Sequence, residues 1–331
     1  MTELVPRAPD VIRDATLYNL LPLWMCNLAE NLPLIRKGLD AQDLPKRKEP
    51  AIVVGAGPSL TIYKHLNLIK RSGWKHTILA CDKVLGDCIR RGLIPYAVAT
   101  VDGSPRINAF YDRQDVKKHA PQINGIFNTL THPSVINTWQ KAGGKTYFFN
   151  SMLDDPGKDG KLDVKSLTNI MWLLTKQKGL ISGIGNVGSF LWNISVALEA
   201  DPIILVGIDF SEQVLNKADA VYFDYYVKLF LQKYKDDPNV AQDKAADMHQ
   251  VEVNPDFVAP FTRLPYYKKG KNVRYLVNPI WKYYRDAFAM HIVSSKKHTI
   301  NCTGNGCLTT EAIKCPNFEA MALNEVLKKY A

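Results

Sequence analysis

The run Ala51-Ile-Val-Val-Gly55-Ala-Gly57-Pro58-Ser59-Leu60 passes from four apolar residues straight into a glycine turn. A short apolar run of this kind suits a strand buried on both faces. Glycines let the backbone turn tightly and approach a ligand closely. Pro58 fits a first helical turn, where a missing N–H costs nothing, and Ser59 can cap or contact a ligand. A strand, a glycine turn and a fresh helix N-terminus together favour an anion, and the natural one is a nucleotide phosphate. Gly55, Ala56, Gly57, Pro58, Ser59 and Leu60 are therefore expected to bind a nucleotide.

Further polar residues fall where other apolar runs end. Asp82 follows Thr77–Cys81, where it is placed to hold a ribose or to cap the next helix. Asp102-Gly103-Ser104 follows Tyr96–Val101, and Asp209 follows Pro202–Gly207. Asp102 and Asp209 could hold a divalent metal such as Mg2+ against phosphates or orient an acceptor hydroxyl. Their plainer role is to satisfy turn N–H groups. Gly183-Ile-Gly185-Asn186-Val-Gly188 is a literal G-x-G-x-x-G before an apolar helix. Gly185 and Asn186 could form a second polar edge to the nucleotide, or the glycines could serve close helix–sheet packing. His249, in Ala245-Ala-Asp-Met-His249-Gln, could act as general base or stabilise a leaving phosphate, or be an ordinary surface residue. The Gly55 turn lacks the third glycine of the dinucleotide fingerprint, and no G-x4-G-K-[ST] pattern occurs, which disfavours both a dehydrogenase and a P-loop enzyme.

The elements that must position these residues alternate. Strands are expected at Ala51–Gly55, Thr77–Cys81, Tyr96–Val101, Gly125–Asn128, Thr146–Asn150, Pro202–Gly207 and His298–Cys302. Helices are expected over Ser59–Ser72, Lys83–Arg91, Ser134–Ala142, Val164–Lys176, Val187–Glu199, Ala218–Lys235, Pro279–Val293 and Phe318–Lys329. Such alternation predicts an α/β fold with a Rossmann-like, doubly wound and mostly parallel sheet. Residues 1–48 read as a helical lead-in, 49–210 as the nucleotide-binding core, and 211–331 as a smaller lid and C-terminal helical region completing the same domain. The polar stretch 236–262 is expected to be the lid.

At 331 residues with 46% hydrophobic and 22% charged composition, the chain can bury a large core. It contains no apolar run long enough to span a membrane and no signal-peptide pattern at Met1–Arg7. Six cysteines are too sparse for a disulfide scaffold. Cys302, Cys307 and Cys315 lack paired zinc spacing, so reduced thiols and a cytoplasmic protein are expected. The net charge of +10 gathers at Lys46-Arg47-Lys48, Lys268-Lys269-Gly270-Lys271 and Lys296-Lys297-His298. These clusters suit an anionic ligand, an acidic partner or membrane surface, or a solvated loop. Nucleic-acid motifs are missing.

Taken together, several segments resemble one family. They are Val54-Gly-Ala-Gly-Pro-Ser-Leu60, Cys81-Asp-Lys-x-Leu85, Gly92-Leu-Ile-Pro95, Thr100-Val-Asp102, Gly185-Asn-Val-Gly188, Pro202-Ile-Ile-Leu-Val-Gly-Ile-Asp209-Phe and the tail Ile300-Asn-Cys-Thr-Gly304-Asn-Gly306. The chain is similar over roughly residues 20–325 to the 6-hydroxymethylpterin diphosphokinase-like (MptE-like) group, which also contains motility-associated flagellin glycosyltransferases. Its fold is related to that of bacterial sialyltransferases. The resemblance implies a nucleotide-dependent transferase with one of two chemistries. One passes diphosphate from ATP to a pterin alcohol with magnesium. The other passes a sugar from a CMP donor to a protein hydroxyl or glycan. The His-Gly-Asp-Asn stretch of the pterin enzymes is absent, and the lead-in and tail look like the glycosyltransferase branch. On that branch His249 is a candidate for the catalytic histidine of related sialyltransferases, and Asp102 and Asp209 are the residues expected to orient acceptor or metal. The alternative from another class is a non-catalytic nucleotide- or nucleic-acid-binding protein.

Overall fold

The computed structural model describes residues 10–154, 161, 163–176, 178–181, 185–213, 260–262, 272–276, 279–304, 306–310 and 313–331. The strands are β1 Leu39–Asp40, β2 Ala51–Val54, β3 Thr77–Cys81, β4 Ala97–Thr100, β5 Asn124–Asn128, β6 Lys145–Ser151, β7 Leu180–Ile181, β8 Ile203–Val206, β9 Glu212–Gln213, β10 Pro260–Thr262, β11 Asn272–Leu276, β12 Thr299–Asn301 and β13 Phe318–Ala320. The α-helices are α1 Asp10–Lys37, α2 Ser59–Ile62, α3 His65–Ser72, α4 Asp82–Arg90, α5 Asn108–Tyr111, α6 Gln114–His119, α7 Pro133–Lys141, α8 Leu167–Leu174, α9 Val187–Ala197, α10 Pro279–Ser294 and α11 Leu323–Tyr330.

Ten strands form one sheet in the order β1-β6-β5-β4-β3-β2-β8-β12-β13, with β7 paired to β6. Its pairings are parallel. From β2 the chain winds outward through β3, β4, β5 and β6, then returns to the other side of β2 with β8 and continues to β12 and β13. The direction of winding reverses between β2 and β8. This is the doubly wound α/β fold, and the reversal is its topological switch point.

The apolar runs are continuous because both faces of the sheet are covered. Alternate residues along a strand point to opposite faces. Ala97, Ala99, Ile126, Tyr147 and Phe149 join a core that includes Phe190, Leu191 and Ile194 of α9. Val98, Phe127 and Phe148 join a second core with Leu28 and Ile35 of α1, Leu85 and Ile89 of α4, and Trp139 of α7.

Three expectations need adjustment. The helix read over Ser59–Ser72 is two helices, because Lys64 adopts left-handed backbone (φ 54°) between them. The segment read as a helix from Phe318 opens with β13 and turns helical only at Leu323. The lead-in is part of the fold itself: α1 runs through Pro22 and Pro33, and its Leu28 and Ile35 are buried. The aromatic segment 218–235 and most of the expected lid lie outside the described residues. Among the described residues no helix is long and apolar enough to cross a membrane. All six cysteines are free thiols.

Candidate functional site at the strand ends

Parallel strands in adjacent positions deliver their following loops to one edge, so sheet order decides which predicted residues become neighbours. Along that edge Asp102 follows β4, Asp82 opens α4 after β3, Gly55–Ser59 follow β2, Asp209 follows β8, and Thr303–Cys307 follow β12. In open α/β sheets this edge is where ligands bind, at the switch point above all.

At the switch point the two backbones are pressed together. A Cβ on Gly55 would collide with the Gly207 carbonyl, and one on Gly207, which has φ +66°, would collide with the Gly55 carbonyl. Gly55 N–H donates to Val206 O at 2.9 Å, and Gly57 N–H donates to Gly207 O at 2.8 Å. A Cβ on Gly57 would overlap the Asp209 carboxylate. The glycines therefore admit β8 and its aspartate, and their N–H groups are already engaged.

Asp209 is buried and gathers three loops. Ser59 Oγ donates to its Oδ2 at 2.8 Å, and Ser59 N–H to its Oδ1 at 3.3 Å. Cys307 N–H donates to its backbone carbonyl at 2.8 Å, and Gly306 packs so closely that a Cβ there would strike the same backbone. Ser59, Asp209 and Gly306 come from three separate motif blocks, and Asp209 joins them. Within Gly55–Ser59, only the exposed Ala56 keeps an N–H without a partner among the described residues. Pro58 is half-buried and Leu60 is buried in the core. The expected phosphate cradle is thereby narrowed from a row of N–H donors to one, and α2 is a single turn whose dipole is short.

Asp82 is buried beneath the edge. Its Oδ1 accepts from Lys83 N–H at 2.7 Å, and its Oδ2 accepts from Thr100 Oγ, which is itself 3.1 Å from the Tyr111 hydroxyl. Burial pushes the Asp82 carboxyl up to about 6 against these bonds, and the nearby Asp102 adds to the shift. Asp102 is exposed, and its Oδ1 accepts from Ser104 N–H at 2.8 Å in a local turn.

The structure brings Asp82 near Asp102 and ties Ser59 to Asp209, but it places β3 and β2 between Asp102 and Asp209. Three strand spacings separate those two ends, about 14 Å. A cation with bonds of about 2–2.6 Å does not fit between them. Among the described residues no group of three or more His, Cys, Asp or Glu is arranged to hold a metal.

Asn186 caps α9, accepting from Ser189 N–H at 3.0 Å. Gly185 (φ +78°) lies flat against Tyr284 of α10, where any side chain would enter the ring. His249 lies outside the described residues.

Two groups at this edge were not read from the sequence. Arg285 sits on α10, only 17% exposed, with Nε donating to Asp286 Oδ1 at 2.8 Å. It acts electrostatically on Cys307, as Asp209 does. Nothing in the local sequence separates Arg285 from any helical arginine; its place follows from β12 lying beside β8. The second group is on α1. Asn27 Nδ2 donates to Gly103 O and Leu130 O, each at 2.9 Å, and Asn31 Nδ2 donates to Thr131 O at 2.7 Å. The signal was present as polar residues interrupting an apolar stretch, which marks the buried contacts of a helix as well as its breaks.

Among solved structures, the chain is similar to a MAf glycosyltransferase from Magnetospirillum magneticum AMB-1. The identity is 13% and the TM-score 0.48, with 86% of this chain and 35% of that chain covered. The chain thus spans about a third of that protein's length. No curated protein matches it. A family model described as 6-hydroxymethylpterin diphosphokinase MptE-like matches residues 26–214. That is more than half of the chain, and it takes in Asn27, the glycine turn, Asp82, Asp102, Asn186 and Asp209: the chain belongs to the MptE-like family.

Proposed function

We propose that this chain is a cytoplasmic transferase that takes its group from an activated nucleotide, and that the donor is a CMP-type sugar, which makes it a glycosyltransferase. The observation that carries the transferase reading is the meeting of the Ser59, Asp209 and Gly306 loops at the switch point. Family membership supports it. In this reading the Gly55–Leu60 turn, Asp82, Gly185 and Asn186 line the nucleotide, with the Ala56 N–H and the Arg285 guanidinium facing its phosphate. A fixed cation there stabilises charge on the departing phosphate without reorganisation. The exposed Asp102 orients the acceptor, a protein hydroxyl or glycan, Asp209 holds the loops on the donor side together, and His249 removes the acceptor's proton. Asp102 and Asp209 do not fit a shared Mg2+. The CMP donor rests on the resemblance of the tail after β12 to the glycosyltransferase branch.

A second reading is favoured by the family's own description: an ATP-dependent diphosphokinase acting on a pterin alcohol. A thermal-shift panel of CMP, UDP, ATP and NAD, each with and without magnesium, separates the two. CMP at a hundredfold excess over its dissociation constant should stabilise the fold by about 2.7 kcal/mol without magnesium. Stabilisation by ATP only with magnesium, and release of AMP with a pterin alcohol, would replace the sugar donor by diphosphoryl transfer. Stabilisation by NAD alone would sink both.

A further inference from the structure

The positive charge of this protein is distributed unevenly in space. The contiguous basic clusters conspicuous in the sequence are partly compensated where they are described. Lys46 and Lys48 both pair with Glu199, Arg47 with Glu49, and His298 with Glu319. A different set of cations, scattered in sequence, gathers without that compensation. Lys64, Asn67, Lys70 and Arg71, from the break before α3 and from α3 itself, join Arg91 from the end of α4 to line a concavity of about 500 Å3. Residues 67, 70 and 71, at i, i+3 and i+4, share one face of α3. Arg91 is held across the gap: its Nε donates to Asn67 Oδ1 at 3.0 Å and its Nη1 to Asp87 O at 3.0 Å.

Among the described residues Asp87 is the one carboxylate paired with this set, and it also pairs with Arg90. Lys64, Lys70 and Arg71 form no ion pair among the described residues. The lining holds no aromatic ring on which a base could stack and no aliphatic side chain for an acyl group. It therefore reads charge. The concavity is shallow and open to solvent, so a ligand there is held by the charge that lines it. Arg91 lies where α4 hands over to β4, on the opposite side of the sheet's length from Asp82 and Asp102. The concavity therefore runs from Lys64, just past α2, along α3 to Arg91 at the other end of the strands.

We propose that the concavity between α3 and α4 is a second anion site, built for a small ligand bearing two or more linked phosphates. Linked phosphates occur in free pyrophosphate and in the tail of a nucleotide polyphosphate. The proposal stands independently of the donor and acceptor assigned above.

Calorimetric titration of the full chain with inorganic pyrophosphate, inorganic phosphate and ATP tests it. The variant is Lys70→Glu with Arg71→Glu, and the control is Lys141→Glu with Lys145→Glu, an equal charge change on exposed residues near the far strand β6. Pyrophosphate should bind the wild type at least about tenfold more tightly than phosphate, and the α3 variant should lose about tenfold while the control keeps its affinity. Parallel loss of ATP binding makes the source a nucleotide tail; loss of pyrophosphate alone makes it the free diphosphate. Equal loss in both double variants, or equal affinity for phosphate and pyrophosphate, would overturn the site. So would α3-dependent binding seen only with a mixed-sequence oligonucleotide or phosphatidylserine vesicles.

Discussion

Ser59 has no exposed surface, and its hydroxyl spends its proton on the Asp209 carboxylate. Hydrogen bonds to charged groups contribute about 1.5–3 kcal/mol, so Ser59→Ala should lower stability by that amount in urea denaturation. Gly57→Ala inserts a methyl group where the carboxylate already lies, and should cost about 1–3 kcal/mol as the turn and β8 move apart. An unchanged midpoint for both variants would refute the Asp209 junction. The pH dependence rests on two buried groups with opposite signs. Asp82 has a folded value of about 6 against 3.8, so folding favours its protonated form, and stability falls as pH rises between those values. His65 is buried with no partner on either ring nitrogen, and desolvation lowers it from 6.5 to about 4. The folded state resists protonating His65, so its contribution rises over nearly the same window. Each amounts to about 3 kcal/mol, and in the wild type they nearly cancel. Asp82→Asn should therefore gain stability by about 3 kcal/mol from pH 4 to 6.5, and His65→Leu should lose about as much. Urea midpoints across that range check both; parallel profiles for the two variants would show the pairing to be wrong.

At the scale of elements, α1 is a strut for the strand-end edge. Asn27 and Asn31 reach loops that follow β4 and β5, and the Trp24 indole lies over Gly103. Asn27→Ala leaves two buried carbonyls without their donor and should cost about 1–3 kcal/mol. Hydrogen exchange should quicken around Gly103 and Leu130 while the middle of β2 keeps its protection; uniform loss of protection would contradict the strut. The strands were legible because burial on both faces makes them short apolar blocks, as at Ile203–Val206, and because Asp or Gly marks the ends of β2, β3, β4 and β8. The packing role of α1 was not legible: residues 1–48 read only as a helical lead-in, and the carbonyls that Asn27 and Asn31 reach lie 76 to 103 residues away in sequence. β1, β7 and β13 are two or three residues long and leave no periodicity to read. The division of Ser59–Ser72 was hidden too, because left-handed backbone at a lysine has no sequence signature.

For the whole molecule, sheet order determines what the motifs mean. The sequence puts aspartates at three strand ends, and each is found there. Which aspartates are neighbours depends on β2 lying between β3 and β8, a fact of topology that local pattern does not carry. That order separates Asp102 from Asp209 and sets the loop after β12, with Cys307, beside Asp209. The glycine turn was read as an opening for a ligand; much of its glycine content instead makes room for the neighbouring strand.

The bond from Cys307 to the Asp209 carbonyl also sets a timetable. During translation β8 emerges long before β12, and until β12 arrives it is the outermost strand of the growing sheet. An unpaired, wholly apolar strand is a template for association with other chains. A chain ended after Gln213 would keep β2, β8 and Asp209, yet it should sediment as aggregates where the full chain does not. The nascent protein therefore passes through an interval in which its central strands are made and its edge is unguarded. Its last quarter closes that interval by capping the sheet and, in the same step, finishing the Asp209 junction.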